Sequence, residues 1–224
     1  MLVPILLAFC NVGTMLPTQN YIVKEYKNES SFDINDFNEK IDNIQISIEN
    51  INETAQNNIE ENTGYIFLGD SRFVGMDMYM NITNEKTFLV AKVSMGYDWL
   101  VSDAYNQILE IKANNSNISK WKIITNLGVN DIGNLSKYID FYSTHFSNEE
   151  LEIVSINPIE YNEWITNDSI INFNSKLQLF SSKNNIKYID SYNYLIENGY
   201  STVDGVHFDK NTYNKIYNYI IDNK

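Results

Sequence analysis

The sequence is poor in the residues that most often announce crosslinks or chemistry. Its 224 residues hold one cysteine, one arginine, two histidines, three prolines and nine glycines. A lone cysteine, Cys10, cannot close an internal disulfide, and no Cys/His cluster has the spacing of a zinc site. Positive charge is scarce too: 16 Lys+Arg stand against 29 Asp+Glu, a formal net charge of -13. Holding a phosphate backbone needs a basic stripe, so a nucleic-acid partner is excluded as a first reading. The same shortage argues against adsorption to an anionic bilayer through a polybasic patch. What is there leans on Asn, Ile, Lys and Tyr, the codon bias of an AT-rich, bacterial genome. The length suits one domain with a substantial core plus an appendage.

The N-terminus opens on an apolar run, Met1 to Leu16, broken by Pro4. It falls short of the roughly 20 residues of a spanning helix, and it lacks the leading Lys or Arg of a secretory signal. Leu7-Ala8-Phe9-Cys10 partly matches a lipoprotein box, with Phe9 too large for its position. Residues 1–17 are therefore expected to be a signal peptide or membrane anchor, making the protein secreted or cell-surface. A frayed apolar end of a cytosolic protein is the alternative. Residues 18–63 are polar. Within them Phe37, Ile41, Ile44, Ile48 and Ile51 recur at helical spacing, which predicts an amphipathic helix in a stem or linker.

From Gly64 to Lys224 short apolar runs alternate with longer helical patterns. Strands are predicted at Tyr65–Leu68, Phe88–Val93, Trp121–Leu127, Leu151–Ile156 and Lys187–Ile189. Helices are predicted over Arg72–Met80, Trp99–Lys112, Leu135–Phe146, Ile170–Lys183 and Thr212–Asp222. Such alternation implies a mainly parallel five-stranded sheet in a three-layer α/β sandwich. Ligands of these sheets sit beyond the carboxyl ends of the strands, so the residues just after each strand carry the interest.

Strand one runs into Gly69-Asp70-Ser71-Arg72 at the start of a helix. Ser71 there is either a hydroxyl presented at the mouth of the sheet or, with Asp70, a simple helix cap. Strand two is followed by Ser94-Met95-Gly96-Tyr97, where Gly96 is either a turn residue or a backbone donor to an oxyanion. Strand three is followed by Gly128-Val129-Asn130-Asp131; Asn130 offers a side-chain amide, or with Asp131 forms a turn. Ahead of the last helix comes Asp204-Gly205-Val206-His207, a spacing that lets a carboxylate orient an imidazole.

Ser, Gly, Asn and Asp-x-x-His in this order resemble the four sequence blocks of the SGNH/GDSL hydrolases. The resemblance covers about Gly64 to Lys224, and departs from Gly-Asp-Ser-Leu by Arg72. It implies a flavodoxin-like SGNH fold and acyl transfer through a serine, with no metal or organic cofactor. Ser71 would be the nucleophile, His207 the general base and acid, and Asp204 its orienting carboxylate. The oxyanion would be held by the N–H groups of Ser71 and Gly96 and the amide of Asn130. The expected reaction is removal of a small, acetyl-like acyl group from a carbohydrate or other cell-envelope ester. An O-acyltransferase on the same site and a non-catalytic surface-binding module are the alternatives.

Substrate contacts are less defined. Tyr97 and Trp99 follow Gly96, and Tyr161 and Trp164 lie in the loop after strand four; each is either a stacking surface or ordinary packing. Arg72 is either a partner for an anionic substrate group or a structural salt bridge. His145 reads as a solvated bystander, and Asp70, Asp131 and Asp209 as caps or loop braces.

Overall fold

The computed structural model describes residues 41–48 and 62–224. The chain divides into two units, Met1–Thr54 and Ala55–Lys224. In the first, residues 41–48 form a helix, α1, with Ile41, Ile44 and Ile48 exposed. The remainder of the expected Phe37–Ile51 helix, the apolar run 1–17 and most of the stem lie outside the described residues. Among the described residues no helix is long and apolar enough to cross a membrane.

The second unit is built on five strands: β1 (Thr63–Gly69), β2 (Thr87–Ala91), β3 (Lys120–Asn126), β4 (Leu151–Val154) and β5 (Lys187–Ile189). All pairs are parallel, in the order β2-β1-β3-β4-β5. Strands covered on both faces read as continuous apolar runs, as Tyr65-Ile66-Phe67-Leu68 does. Ile66 and Leu68 point to one core with Ile123, Leu151 and Ile153, whereas Phe67 points to the other with Ile124, Val154 and Ile189. The first core is closed by α4 (Tyr105–Asn114), α5 (Leu135–His145) and α6 (Asn167–Asn184). The second is closed by α2 (Ser71–Met80), α7 (Ser191–Asn198) and α8 (Lys210–Asn223). The result is the expected three-layer sandwich.

Three differences from the sequence reading have local causes. The predicted Trp99–Lys112 helix starts with one turn, α3 (Tyr97–Trp99), and a π-helical segment, Leu100–Ala104, before α4 begins. Trp99 Nε1 donates to Asp103 across that wider turn, 3.0 Å away. Helix α7 was not anticipated. Its eight residues bury only Ser191, Tyr192 and Leu195, and Asp190 caps it by accepting from Asn193 N–H. Finally, β2 stops at Ala91 and β4 at Val154, because the residues beyond them leave the ladder to form the edge described next.

The chain moves outward in opposite directions from β1 to β2 and from β3 to β4. That leaves a crevice at the carboxyl ends of β1 and β3. Register makes these ends flush: Gly69 lies beside Ala91 on one side and Asn126 on the other. The segments carrying Ser71, Gly96 and Asn130 therefore leave the sheet at one level.

Candidate active site

Ser71 owes its position to Asp70. The Asp70 backbone is extended, and its carboxylate accepts from Arg72 N–H at 2.9 Å, which starts α2 at Ser71. The neighbours on either side of the serine, Asp70 and Arg72, turn inward and are buried; Ser71 itself faces the crevice. Its N–H stands at the positive end of α2.

His207 is held by a tight return of the chain. Thr202 and Phe208 form an antiparallel bridge, and Val203 N–H donates to the His207 carbonyl at 2.7 Å. Buried Phe208 anchors the far side, and Asp209 then caps α8 by accepting from Thr212 N–H. Gly205, with a φ of 92°, turns in the left-handed region that favours glycine. Inside the turn the Asp204 carboxylate accepts from Val206 N–H at 3.0 Å and His207 N–H at 2.7 Å.

These two segments meet. His207 Nε2 lies 2.8 Å from Ser71 Oγ, and His207 Nδ1 lies 2.7 Å from Asp204 Oδ2. Burial works against the charge of Asp204. The N–H donors of His207 and Val206, together with the His207 ring, prevail and hold its carboxyl down at about 2. An ionised carboxylate only accepts, so Nδ1 carries the proton that donates to Asp204. Nε2 is then left to accept from the serine hydroxyl, the tautomer a general base requires.

The two further segments converge through Asp131. Its carboxylate accepts from Tyr97 N–H and from the Tyr138 hydroxyl, each at 2.7 Å, and from Asn134 Nδ2 at 3.1 Å. A Cβ on Gly96 would come within 2.5 Å of the same carboxylate, so only glycine lets the loops close this far. Asn130 Nδ2 donates to the Met95 carbonyl at 2.9 Å, which leaves its second amide hydrogen to spend. Among the described residues no group accepts from the N–H of Ser71 or Gly96. Gly128, with a φ of 131° and the Phe173 ring against its Cα, allows the turn that carries Asn130.

The structure disposes of two of the suggested substrate contacts. Arg72 is 1% exposed, and its Nη1 and Nη2 donate to the carbonyls of Asn157 and Pro158, at 2.8 and 3.4 Å. Its guanidinium lies over the Phe208 ring, 5.2 Å from the centroid. Far from meeting substrate, it ties α2 to the segment after β4 and to the residue following His207. Trp99 is 7% exposed and belongs to the core of α4, α5 and α6. A residue on the first turn of a helix over a sheet is directed inward by the helix period, which adjacency in sequence does not reveal.

Tyr97 is half-buried, edge-on to Tyr138 and Phe141, with Lys137 over its face. Trp164 is 87% exposed and Tyr161 is exposed as well. Their loop is braced to the histidine turn, since Glu160 and Tyr161 N–H both donate to the Gly205 carbonyl. His145 sits on the surface, stacked at 4.0 Å on Phe141. Sequence reasoning missed an apolar cleft beside the serine, lined by Val74, Met78, Tyr79, Val93 and Val203 among others. Val74, Met78 and Tyr79 recur at helical spacing from Ser71, a signal that could have found them. Among the described residues no three His, Cys, Asp or Glu side chains are grouped to hold a metal ion.

No protein-family model matches this sequence, and no curated protein matches it at the level of sequence. Solved structures do match the fold. One is the C-terminal catalytic domain of peptidoglycan O-acetyltransferase A from Streptococcus pneumoniae. It has a TM-score of 0.56 and 16% identity, over 72% of this chain and 92% of that one. Another is a lipolytic protein of the G-D-S-L family from Veillonella parvula, with a TM-score of 0.53 and 18% identity over 71% and 97% of the two chains. The acetyl xylan esterase AlAXEase matches with a TM-score of 0.51 and 16% identity, over 71% and 98%. The chain thus has the three-layer α/β fold of the SGNH/GDSL hydrolases.

Proposed function

We propose that this chain is a serine-dependent ester hydrolase of the SGNH/GDSL type, working through an acyl-enzyme. One observation carries the reading: Ser71 Oγ, His207 and Asp204 are linked by contacts of 2.8 and 2.7 Å at the ligand edge of the sheet. Ser71 Oγ attacks the ester carbonyl carbon and gives its proton to His207 Nε2. The carbonyl oxygen becomes an oxyanion, met by the N–H groups of Ser71 and Gly96 and by the Asn130 amide. Such a donor is worth about 3 kcal/mol of barrier. The C–O bond to the alcohol then breaks, and His207 hands its proton to the departing oxygen. Water attacks the Ser71 ester, loses a proton to Nε2, and releases the acid as Oγ takes that proton back. Asp204 keeps the ring oriented and stabilises the imidazolium.

The alcohol half of the substrate is read as a carbohydrate or other cell-envelope ester, at a secreted or cell-surface location. Support comes from two structures that share the fold, one named for peptidoglycan and one for xylan. Exposed Trp164 and Tyr161, on the loop braced to the His207 turn, suit stacking on a sugar ring. Because one of these neighbours is an O-acetyltransferase, transfer to a sugar hydroxyl is the second reading. The test is p-nitrophenyl ester turnover by the full chain and by Ser71→Ala, with and without added oligosaccharide acceptors. Turnover lost in the variant is the expected result, and a folded, active Ser71→Ala protein would refute the assignment. Acylated acceptor among the products would favour transfer over hydrolysis.

A further inference from the structure

Beside Ser71 the surface turns apolar. A cleft of about 240 Å³ opens there, lined by both Ser71 and His207. Val74, Gly75, Met78 and Tyr79 line it from α2. They lie three, four, seven and eight residues after the serine, so they form one continuous helix face. At 1.5 Å of rise per residue this face runs about 12 Å away from the nucleophile. Val93 and Val203 add apolar side chains from the turns after β2 and before His207. Gly75 lets Tyr213, which also lines the cleft, pack directly on α2: a Cβ there would run into the Tyr213 hydroxyl.

The chemistry of these walls selects the occupant. Met78 is 78% exposed and Val203 67%, large apolar side chains left facing water around one opening. Apolar surface gathered in this way marks a place where something apolar binds. Beyond Ser71 and His207 the only polar side-chain atoms in the lining are the hydroxyls of Tyr79 and Tyr213. The Tyr213 hydroxyl is buried and has no hydrogen-bond partner among the described residues. Two hydroxyls cannot serve the many donors and acceptors of a sugar, so the alcohol half of a glycan ester is a poor fit. The part of an ester that stays on Ser71 through both half-reactions, and needs no polar partner, is the acyl chain.

We propose that this cleft is the acyl site and that it takes an aliphatic chain of roughly six to ten carbons. Its volume holds about eight groups the size of a water molecule, at ~30 Å³ each in the liquid. An acetyl group would leave most of it wet, so on this proposal the acyl group is larger than the acetyl-like one expected from the sequence. The inference rests on Ser71 being the nucleophile. Each methylene transferred from water to the cleft is worth up to about fourfold in kcat/KM.

The test is a chain-length series on the full protein: p-nitrophenyl acetate, butyrate and octanoate, below their micellar concentrations. Octanoate is expected to exceed acetate at least tenfold in kcat/KM. Val74→Phe fills the cleft and should lower the octanoate-to-acetate ratio at least fivefold. Met78→Asp, at a highly exposed position where folding is safe, puts a charge in the same path and should lower the ratio in the same sense. A wild type that prefers acetate, or a ratio that neither variant moves, overturns the inference while leaving the esterase reading intact. Failure of a fluorophosphonate to label Ser71 overturns both.

Discussion

Asp70 and Asp204 are both favoured in their charged form by His207, yet their surroundings as a whole drive them in opposite directions. Asp204 is exposed to solvent, yet three N–H donors keep its carboxyl ionised down to about 2. Asp70 is buried, receives one N–H on Oδ1, and has no partner on Oδ2. Burial pushes it up to about 6, although the Arg72 guanidinium and the Arg72 N–H pull the other way. Contact with the His207 ring is made by Asp204, at 2.7 Å, whereas the Asp70 carboxylate is turned to the Arg72 N–H. The residue adjacent to Ser71 shapes the backbone, and the one 133 positions later is the carboxylate to which the proposed mechanism gives the orienting role.

The largest effect is expected at Asp204. Asp204→Asn removes the obligatory acceptor and lets the imidazole adopt the wrong tautomer, so kcat should fall about 10²- to 10⁴-fold. Circular dichroism should be unchanged, and steady-state kinetics on a p-nitrophenyl ester reads the loss. If Asp204→Asn stays within a few-fold of wild type while Asp70→Asn collapses, the two roles have been assigned the wrong way round.

Asn130→Ala removes an amide that holds the Met95 carbonyl and, in the proposed mechanism, turns its second hydrogen to the oxyanion. It should lower kcat about 10²- to 10³-fold with little change in KM, and an effect confined to KM would remove Asn130 from the oxyanion hole.

The smallest effect is on stability. An unfolded aspartate loses its proton near 3.8, and folded Asp70 holds it to about 6. Its contribution is complete below pH 3.8 and is lost as pH rises through 6, about 3 kcal/mol in all. Asp204 works with the opposite sign: its contribution is present above 3.8 and disappears as pH falls through about 2. Between pH 4 and 6, then, Asp70 alone of the two makes stability decline. Urea unfolding at pH 4, 5 and 6 should show that slope flattened in Asp70→Asn; an identical slope in the variant would mean the buried carboxyl is already ionised at pH 4.

Much of the fold was legible because a parallel sheet covered on both faces writes each strand as a short apolar run. Lys187–Ile189 was found with its observed limits, and β1 and β3 to within two residues. The eight-residue α7, with three buried positions, carries too little periodicity to be read. The four blocks that the structure brings to one edge were legible as well, because three follow a strand directly and the fourth stands just ahead of the last helix. Burial was not. Nothing local says that Ser71 faces solvent while Arg72 turns under Phe208, since that depends on the Asn157 and Pro158 carbonyls 85 and 86 positions away. The apolar cleft escaped for the same reason: its lining is drawn from α2, the turn after β2 and the segment from Val203 to Tyr213.

The proposed mechanism stands on Ser71 as a nucleophile activated by His207. Its most direct test is mass spectrometry of the full chain after reaction with a fluorophosphonate, with the adduct mapped by peptide sequencing. The account predicts one adduct per chain, on Ser71, formed far more slowly in His207→Ala. A folded protein that takes no adduct, or takes it at another residue, would contradict it.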